Sequence, residues 1–215
     1  MKIANCSSKY GVWLVDGKIK VSPMHCHARA CPICAEQRNI KLRERYRKAL
    51  KSWTTPKHMS FTLKSSEQPL REQIERLVKC FHKLRKEDLW RTRNGYGIWT
   101  VEITKSKLTG LFHPHLHVIA NISFIDKDAL HAAWRKVTID SWNCSIKAVR
   151  GPIENEMAKY IAKTSTIYAQ GDDPYVLNAE LNHRRFVQPF GKWPLIPKAD
   201  FHFCVWVGTV YNVLK

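Results

Sequence analysis

Three histidines alternate with other residues inside one apolar segment. His113, His115 and His117 lie within residues 111–120, whose sequence is LFHPHLHVIA. Successive side chains of a β-strand point to opposite faces, so a strand here places all three imidazoles on one face and apolar residues on the other. Imidazole is the commonest metal ligand in proteins. The segment therefore predicts a half-apolar strand whose other face carries a metal or catalytic site.

A single carboxylate interrupts the apolar segment that precedes this strand. Residues 96–104 are predicted to form a strand, and a turn separates them from the strand at 112–120. Two such strands joined by a short turn should form a hairpin. In that hairpin Glu102 can lie near His115 and His117.

Two histidines and one carboxylate leave coordination positions open, as a catalytic metal requires. Glu102, His115 and His117 are therefore the predicted ligands of a divalent ion. Oxygen-rich sites that act on phosphates favour Mg²⁺ or Mn²⁺. His113 remains an alternative third ligand, or a residue that contacts the substrate.

A second metal site is predicted near the N-terminus. A Cys-x2-Cys pair is the tight bidentate element of structural zinc sites. With no signal peptide in the sequence, seven cysteines argue against a disulfide framework. His25 or His27 remain alternatives to the most distant cysteine. The predicted zinc ligands are Cys6, Cys26, Cys31 and Cys34.

A polar stripe is predicted on the helix that follows Gly151. Glu156, Tyr160 and Lys163 are spaced four and three residues apart, so they share one helical face. A phenol oxygen can attack a phosphodiester when a nearby cation stabilises its oxyanion. Lys163 and a metal ion are both candidates for that cation. Taken alone, this segment is better explained as a surface Glu–Lys pattern with a partly packed tyrosine than as a catalytic site.

The charge of the chain indicates a polyanionic partner. Lysine and arginine number 36 against 18 acidic residues, which gives a net charge of +18 and a pI near 9.8. Nucleic acid is the expected partner of so basic a protein. No apolar run approaches the roughly 20 residues that span a bilayer. We therefore expect a cytoplasmic protein with no membrane partner.

Strand and helix patterns alternate along the chain without a repeat. A basic helix is predicted at 35–52, an amphipathic helix at 70–84 and a further helix after Asp126. Residues 167–200 are rich in glycine and proline and read as loop. The sum predicts an α+β fold, a central antiparallel sheet with packed helices. Further strands are predicted at 12–14, 19–21, 57–63, 144–149 and 201–209.

These motifs, in this order, resemble the rolling-circle replication initiators of small plasmids, which belong to the HUH endonuclease superfamily. The resemblance is to the subgroup with one tyrosine, an upstream glutamate and an N-terminal cysteine cluster. It extends over most of the chain. The similar segments are the cysteine cluster, HMSFTL at 58–63, HPHLH at 113–117, Glu156-x3-Tyr160-x2-Lys163 and, more weakly, 184–191.

The resemblance implies a nicking mechanism. Tyr160 would become joined to the 5′ phosphate of one DNA strand and free a 3′ hydroxyl for rolling-circle replication. Glu102, His115 and His117 would hold the divalent metal that polarises the scissile phosphate. Glu156 would activate water for the second cleavage, so that one tyrosine suffices for the whole cycle.

The same resemblance implies partners and a division of the chain. The expected partners are origin DNA, single-stranded or in a hairpin, and a host polymerase. A host helicase is expected too, because the sequence ends soon after the last predicted strand. Residues 1–50 would form a small zinc-binding module with the basic helix, and residues 51–215 the HUH endonuclease domain. A transposase or relaxase of that superfamily, or a non-catalytic zinc-stabilised DNA-binding repressor, is the alternative.

Overall fold

A computed structural model describes residues 5–28, 31–163, 180–181, 186–193 and 204–211. These residues contain the strands β1 (Lys9–Val15), β2 (Lys18–Pro23), β3 (Pro56–Thr62), β4 (Tyr96–Lys105), β5 (Phe112–Asn121), β6 (Cys144–Ala148), β7 (Val187–Phe190) and β8 (Cys204–Tyr211). Their helices are α1 (Pro32–Leu50), α2 (Leu70–Leu84), α3 (Asp88–Arg91), α4 (Lys127–Thr138) and α5 (Ile153–Lys163). All strand pairs are antiparallel, which confirms the predicted α+β class.

The larger sheet has five strands in the order β6-β3-β5-β4-β7, so the histidine strand β5 lies at its centre. The predicted hairpin of β4 and β5 is present, and Glu102 is directly opposite His115 in its register. On the other side of β5, Thr62 of β3 is opposite the same histidine. A central strand exchanges hydrogen bonds with two neighbours, which holds its side chains in a firm register.

One face of this sheet is the main apolar core. Val118 of β5 and Trp99 of β4 point to that face, where α2 and α4 cover them. The apolar stripe predicted on α2 is buried there, which confirms its role in core packing. Asp126 caps α4 by accepting a hydrogen bond from the Ala129 N–H at 2.9 Å, as a residue at a helix start is expected to do.

The opposite face carries the histidines, and α1 and α5 cover one end of it. Ile119 follows His117 by two residues on β5 and therefore shares its face. Around Ile119 a second apolar cluster forms, and its other buried members are Tyr46, Leu50, Trp53, Ile98, Ile153 and Met157. The helix that carries Tyr160 is thereby packed on the same face as the histidines.

A smaller sheet in the order β2-β1-β8 joins the two ends of the chain. The hairpin of β1 and β2 has the register Trp13↔Lys20, and β8 pairs with the other edge of β1. The predicted strands near residues 13, 20 and 205 are therefore present. Cysteines flank this hairpin on both sides, so its closure brings distant parts of the N-terminal segment together.

Two elements were not predicted from the sequence, α3 and β7. Strand β7 lies in the segment read as loop, and it contains Pro189. Among the described strands it pairs with β4 alone, at the edge of the sheet, where a missing N–H on the outer side is tolerated. Helix α1 also begins at Pro32 rather than residue 35, because proline suits the first position of a helix.

Candidate metal centres and catalytic face

The four cysteines predicted to bind zinc converge in the structure. Their Sγ atoms all lie within 4.8 Å of one another. The Cys6–Cys34 and Cys26–Cys34 sulfur distances are 3.6 and 3.7 Å. A tetrahedral ion with bonds of about 2.3 Å to sulfur places its ligands roughly 3.8 Å apart. No disulfide joins these thiols, and the spacing fits a zinc-sized ion.

Local structure explains why these four sulfurs meet. Cys6 precedes β1 and Cys26 follows β2, and the hairpin places their segments side by side through a Ser7 N–H to Met24 carbonyl bond of 3.0 Å. Cys31 and Cys34 lie at the start of α1, where the partial positive charge of a helix N-terminus favours thiolates. His25 contacts Cys6 at 3.9 Å instead of replacing it.

The thiols of this cluster do not ionise equally. Burial by itself raises the pKa of Cys6, but hydrogen bonds from the Cys26 backbone and the His25 ring outweigh it and lower that pKa to about 6. Burial and the neighbouring Cys6 and Cys26 thiols raise the pKa of Cys34 to about 12. Several thiolates this close repel one another, so the cluster requires a cation to hold all four in the charged form.

On the histidine face, His117 links a carboxylate to a second imidazole. His117 Nε2 donates to the Glu102 Oε2 atom at 2.6 Å, although the residue directly opposite Glu102 is His115. The other nitrogen of His117, Nδ1, lies 3.3 Å from His58 Nε2, and the two rings are stacked. The side chains of His117 and Glu102 are only 12% and 13% exposed. The pair is therefore shielded from solvent, and His58 contacts the nitrogen of His117 that does not face Glu102.

The other two histidines contact different partners. Thr104 donates its hydroxyl proton to the His113 carbonyl, so it accepts from His115 Nε2, at 3.0 Å. His113 Nε2 donates to the Leu63 carbonyl at 3.1 Å. Among the described residues, only the cysteine cluster brings three or more ligand atoms within 4.8 Å of one another. The histidine face thus has the donors of a metal site without their full convergence.

Helix α5, whose sequence contains the predicted tyrosine stripe, packs against the sheet on this side. Ile153 and Met157 are buried in the apolar cluster between α5 and the sheet. Position 160 follows them at the i+7 and i+3 spacing of one helical side. The side chains of Tyr160 and Lys163 lie outside the described part of the chain.

The described member of the stripe is Glu156, whose Oε1 atom lies 3.9 Å from the Lys147 ammonium. Lys147 is on β6 and is opposite His58 in the sheet register. Glu156 is partly exposed at this edge, so both a substrate and water can reach its carboxylate.

Two polar residues beside the histidines were not predicted to take part in the site. His58 is 4% exposed and contacts His117 directly. Thr100 is directly opposite His117, and its buried hydroxyl has no hydrogen-bond partner among the residues that the structure describes. The alternation of His58, Ser60 and Thr62 on β3 is a sequence signal that could have indicated this second polar row.

The fold and site define an α+β protein with a cluster of four cysteines that could hold a metal ion and with a sheet face that carries histidines and a carboxylate. Comparison with protein-family models matches residues 18–192 to a family described as replication protein. The chain belongs to this family of rolling-circle plasmid replication proteins, as the resemblance of its motifs predicted. It is therefore a plasmid replication initiator, which implies binding to origin DNA.

No curated protein and no solved structure matches the chain significantly. Within the described ranges, no helix combines the length and the apolar character needed to cross a membrane.

Proposed function

We propose that this initiator nicks one strand of origin DNA by metal-dependent attack of Tyr160 on a phosphodiester. The observation that carries the proposal is the short Glu102–His117 contact on the sheet face over which α5 packs. Helix α5, which carries Tyr160, and the shielded pair of Glu102 and His117 are on the same side of one sheet, and this supports the proposal. The more general role, initiation of replication, follows from the membership of the chain in the replication-protein family.

The donor set fits a catalytic divalent ion. Glu102 and His117 already form a hydrogen bond. His115 becomes the third donor if its Nε2 atom gives up its hydrogen bond to Thr104 and binds the ion instead. Three protein ligands leave positions open for a phosphate oxygen. When bound, Mg²⁺ or Mn²⁺ would polarise the scissile phosphate and offset the charge that develops on it.

The chain's own residues carry out the transfer. The Tyr160 oxygen attacks phosphorus, and the bond from phosphorus to the 3′ oxygen breaks. The phosphate stays on Tyr160 as a 5′-phosphotyrosine. The phenol gives up its proton to solvent, and the 3′ oxygen takes one up to become the free hydroxyl that a host polymerase extends. Lys163, one turn after Tyr160, supplies a positive charge that favours the phenolate.

Glu156 is proposed to act at termination. It precedes Tyr160 by one helical turn and lies at the exposed edge of the face. As a general base it would take a proton from water that attacks the second scissile phosphate. Hydrolysis then ends the cycle without a new covalent link. The Lys147 ammonium of β6 lies 3.9 Å from this carboxylate.

DNA binding is proposed to rest on basic residues spread over the molecule. Helix α1 exposes Lys41, Arg45 and Arg47, and the whole chain carries a net charge of +18. Such residues bind backbone phosphates whatever the base sequence. Strand separation is proposed to be carried out by a host helicase. For nonspecific single strands, log affinity should fall with log salt with a slope of about −0.7 per phosphate contacted.

The cysteine cluster is proposed to be a structural zinc site. It closes the N-terminal hairpin onto the start of α1, whose later turns pack on the catalytic sheet. The division into a zinc-binding module at residues 1–50 and an endonuclease domain at 51–215 is part of this proposal. Strand β8 joins the small sheet of the first region, so the two regions share an element.

A denaturing gel tests the proposed nicking. The protein is incubated with labelled single-stranded origin DNA and Mn²⁺, and a band that migrates as a protein–DNA adduct is expected. Tyr160→Phe keeps the ring and should lose the adduct. The matched control is Tyr168→Phe, the nearest tyrosine in the sequence, which should retain it. An adduct that persists in Tyr160→Phe and disappears in Tyr168→Phe would assign the nucleophile to Tyr168.

Glu156→Ala tests termination separately. This variant should still nick and form the adduct but fail to release a completed circle by hydrolysis. Normal termination would remove the proposed role of Glu156. If no variant and no wild-type protein forms an adduct while origin binding persists, the alternative of a zinc-stabilised DNA-binding repressor is favoured.

A further inference from the structure

A cavity of about 270 Å³ opens where β3 ends, beside the histidine row. Its walls include Lys64, His113, Ser141, Trp142 and Asn143. His113 connects this cavity to the catalytic face, because its ring centroid lies 4.6 Å from that of His115. A strand that crosses the histidines can therefore extend directly into the cavity.

The loop that carries Trp142 is held firmly although the indole is 64% exposed. The Thr62 N–H donates to the Asn143 carbonyl at 3.1 Å, on one side of Trp142. On the other side, the Lys64 N–H donates to the Ser141 hydroxyl at 2.9 Å. A large aromatic ring on a fixed backbone, open to solvent, has the features of a stacking platform.

The chemistry of the walls fits one nucleotide. An indole face stacks on any base, and the Lys64 ammonium can hold a backbone phosphate at the rim. The exposed side-chain amide of Asn143 both donates and accepts, which suits the edge of a base. Asp140 is engaged by Arg76 at 2.6 Å, so this carboxylate is partly neutralised next to the cavity.

We propose that this cavity binds a nucleobase of single-stranded DNA next to the phosphate held at the histidine face, with Trp142 stacked on the base. The proposal rests on the proposed function, in that the strand crosses this face. It adds a subsite that takes a base, whereas the metal donors and basic residues take phosphates. The base is thereby fixed while its phosphate is presented to Tyr160.

Binding measurements on two probes test the subsite. The probes are a fluorescein-labelled thymidine oligonucleotide and an oligonucleotide of the same length that is abasic throughout. Affinities are measured by anisotropy without added divalent ions, in the Tyr160→Phe chain, so that no strand is cut. Trp142→Ala should weaken binding of the thymidine strand by about tenfold and leave the abasic strand unaffected, because only the former has bases to stack.

Two further variants serve as controls. Trp142→Tyr keeps an aromatic face and should restore most of the lost affinity. Phe124→Ala removes another aromatic ring that is 73% exposed, outside the cavity, and should affect neither probe. An equal loss of affinity for both probes in Trp142→Ala would overturn the subsite, and so would no loss for either probe. The second of these outcomes would favour a protein partner for Trp142.

The outcomes also separate this proposal from the nicking mechanism. If the thymidine strand binds through Trp142 but origin DNA is never nicked, the subsite stands and the proposed chemistry fails. If nicking occurs and Trp142→Ala has no probe-dependent effect, the chemistry stands and the subsite fails. If the Tyr160→Phe chain with Trp142 intact binds neither probe, both the subsite and the proposed binding of phosphates by basic residues fail.

Discussion

The cysteine cluster and the histidine face are both built from residue types that commonly bind metals, but their side chains are arranged differently. In the cluster, four sulfurs from three separate segments already converge within 4.8 Å. On the face, Glu102 and His117 bond to each other, and His115 bonds to Thr104. The first arrangement is closed and saturated by protein ligands, as in structural zinc sites. In the proposed function the second would rearrange to hold an ion and would leave coordination positions open, as catalytic sites do.

The largest expected effect is the loss of the cluster in Cys31→Ser. Binding to structural zinc contributes about 10–16 kcal/mol of apparent free energy in small zinc domains, so this variant should lose its zinc and much of its thermal stability. Elemental analysis after dialysis and thermal unfolding measure the two effects. Cys80→Ala, which removes a buried thiol outside the cluster, should keep the zinc. Full stability of Cys31→Ser with no bound metal would show that these cysteines are ordinary buried thiols.

A substitution on the histidine face should act on the reaction and leave the zinc in place. His115→Ala or His117→Ala is expected to reduce nicking by about 10²–10³-fold, the loss typical of one stabilising group at a developing charge. Zinc content and affinity for single-stranded DNA should stay near wild type, because binding is spread over many basic residues. Nicking rates with Mn²⁺ test this, with the exposed His82→Ala as control. Normal cleavage by either variant would remove that histidine from the metal site.

A smaller effect is expected from the residue behind His117. When the Nε2 atom of His117 binds a metal, its Nδ1–H is expected to donate to His58. Loss of such a support commonly weakens metal affinity by about 10–100-fold. His58→Phe keeps the stacked ring but removes the acceptor, so it should raise the Mn²⁺ concentration needed for half-maximal nicking.

His58→Gln is the matched variant, because its amide oxygen can accept the same hydrogen bond. It should recover much of the Mn²⁺ affinity that His58→Phe loses. The reverse ranking, with Phe tolerated and Gln defective, would mean that His58 serves only to pack against His117.

The smallest effect is expected at His25, which contacts Cys6 but is not a ligand in the proposed cluster. His25→Ala should retain one zinc per chain, whereas Cys6→Ser should hold it much more weakly. Elemental analysis and competition with a chelator measure the difference. Zinc retained by Cys6→Ser and lost by His25→Ala would exchange the roles of the two residues.

Prediction from the sequence succeeded where the pattern of apolar and polar residues within a single strand or helix is enough to identify that element. The period-two alternation around His115 identified β5, and the stripe on α2 identified the helix that covers the core. The predicted α+β class is confirmed, and so is membership in the replication family. Strand β7 was missed because a short edge strand with a proline has no periodic signal of its own. The proposed roles of Tyr160, Glu156 and Lys163 stay predictions.

By itself, the sequence determined which side chains share a face and which cysteines are tied together by short spacing. Those relations depend only on the backbone geometry of one strand or helix. Tertiary structure decided that Glu102 bonds His117 instead of the opposite His115, that Cys6 joins the cluster, and that α5 packs at one end of the face that carries the histidines. Such contacts join residues far apart along the chain. They depend on strand pairing and on the packing of whole elements, which no local pattern specifies.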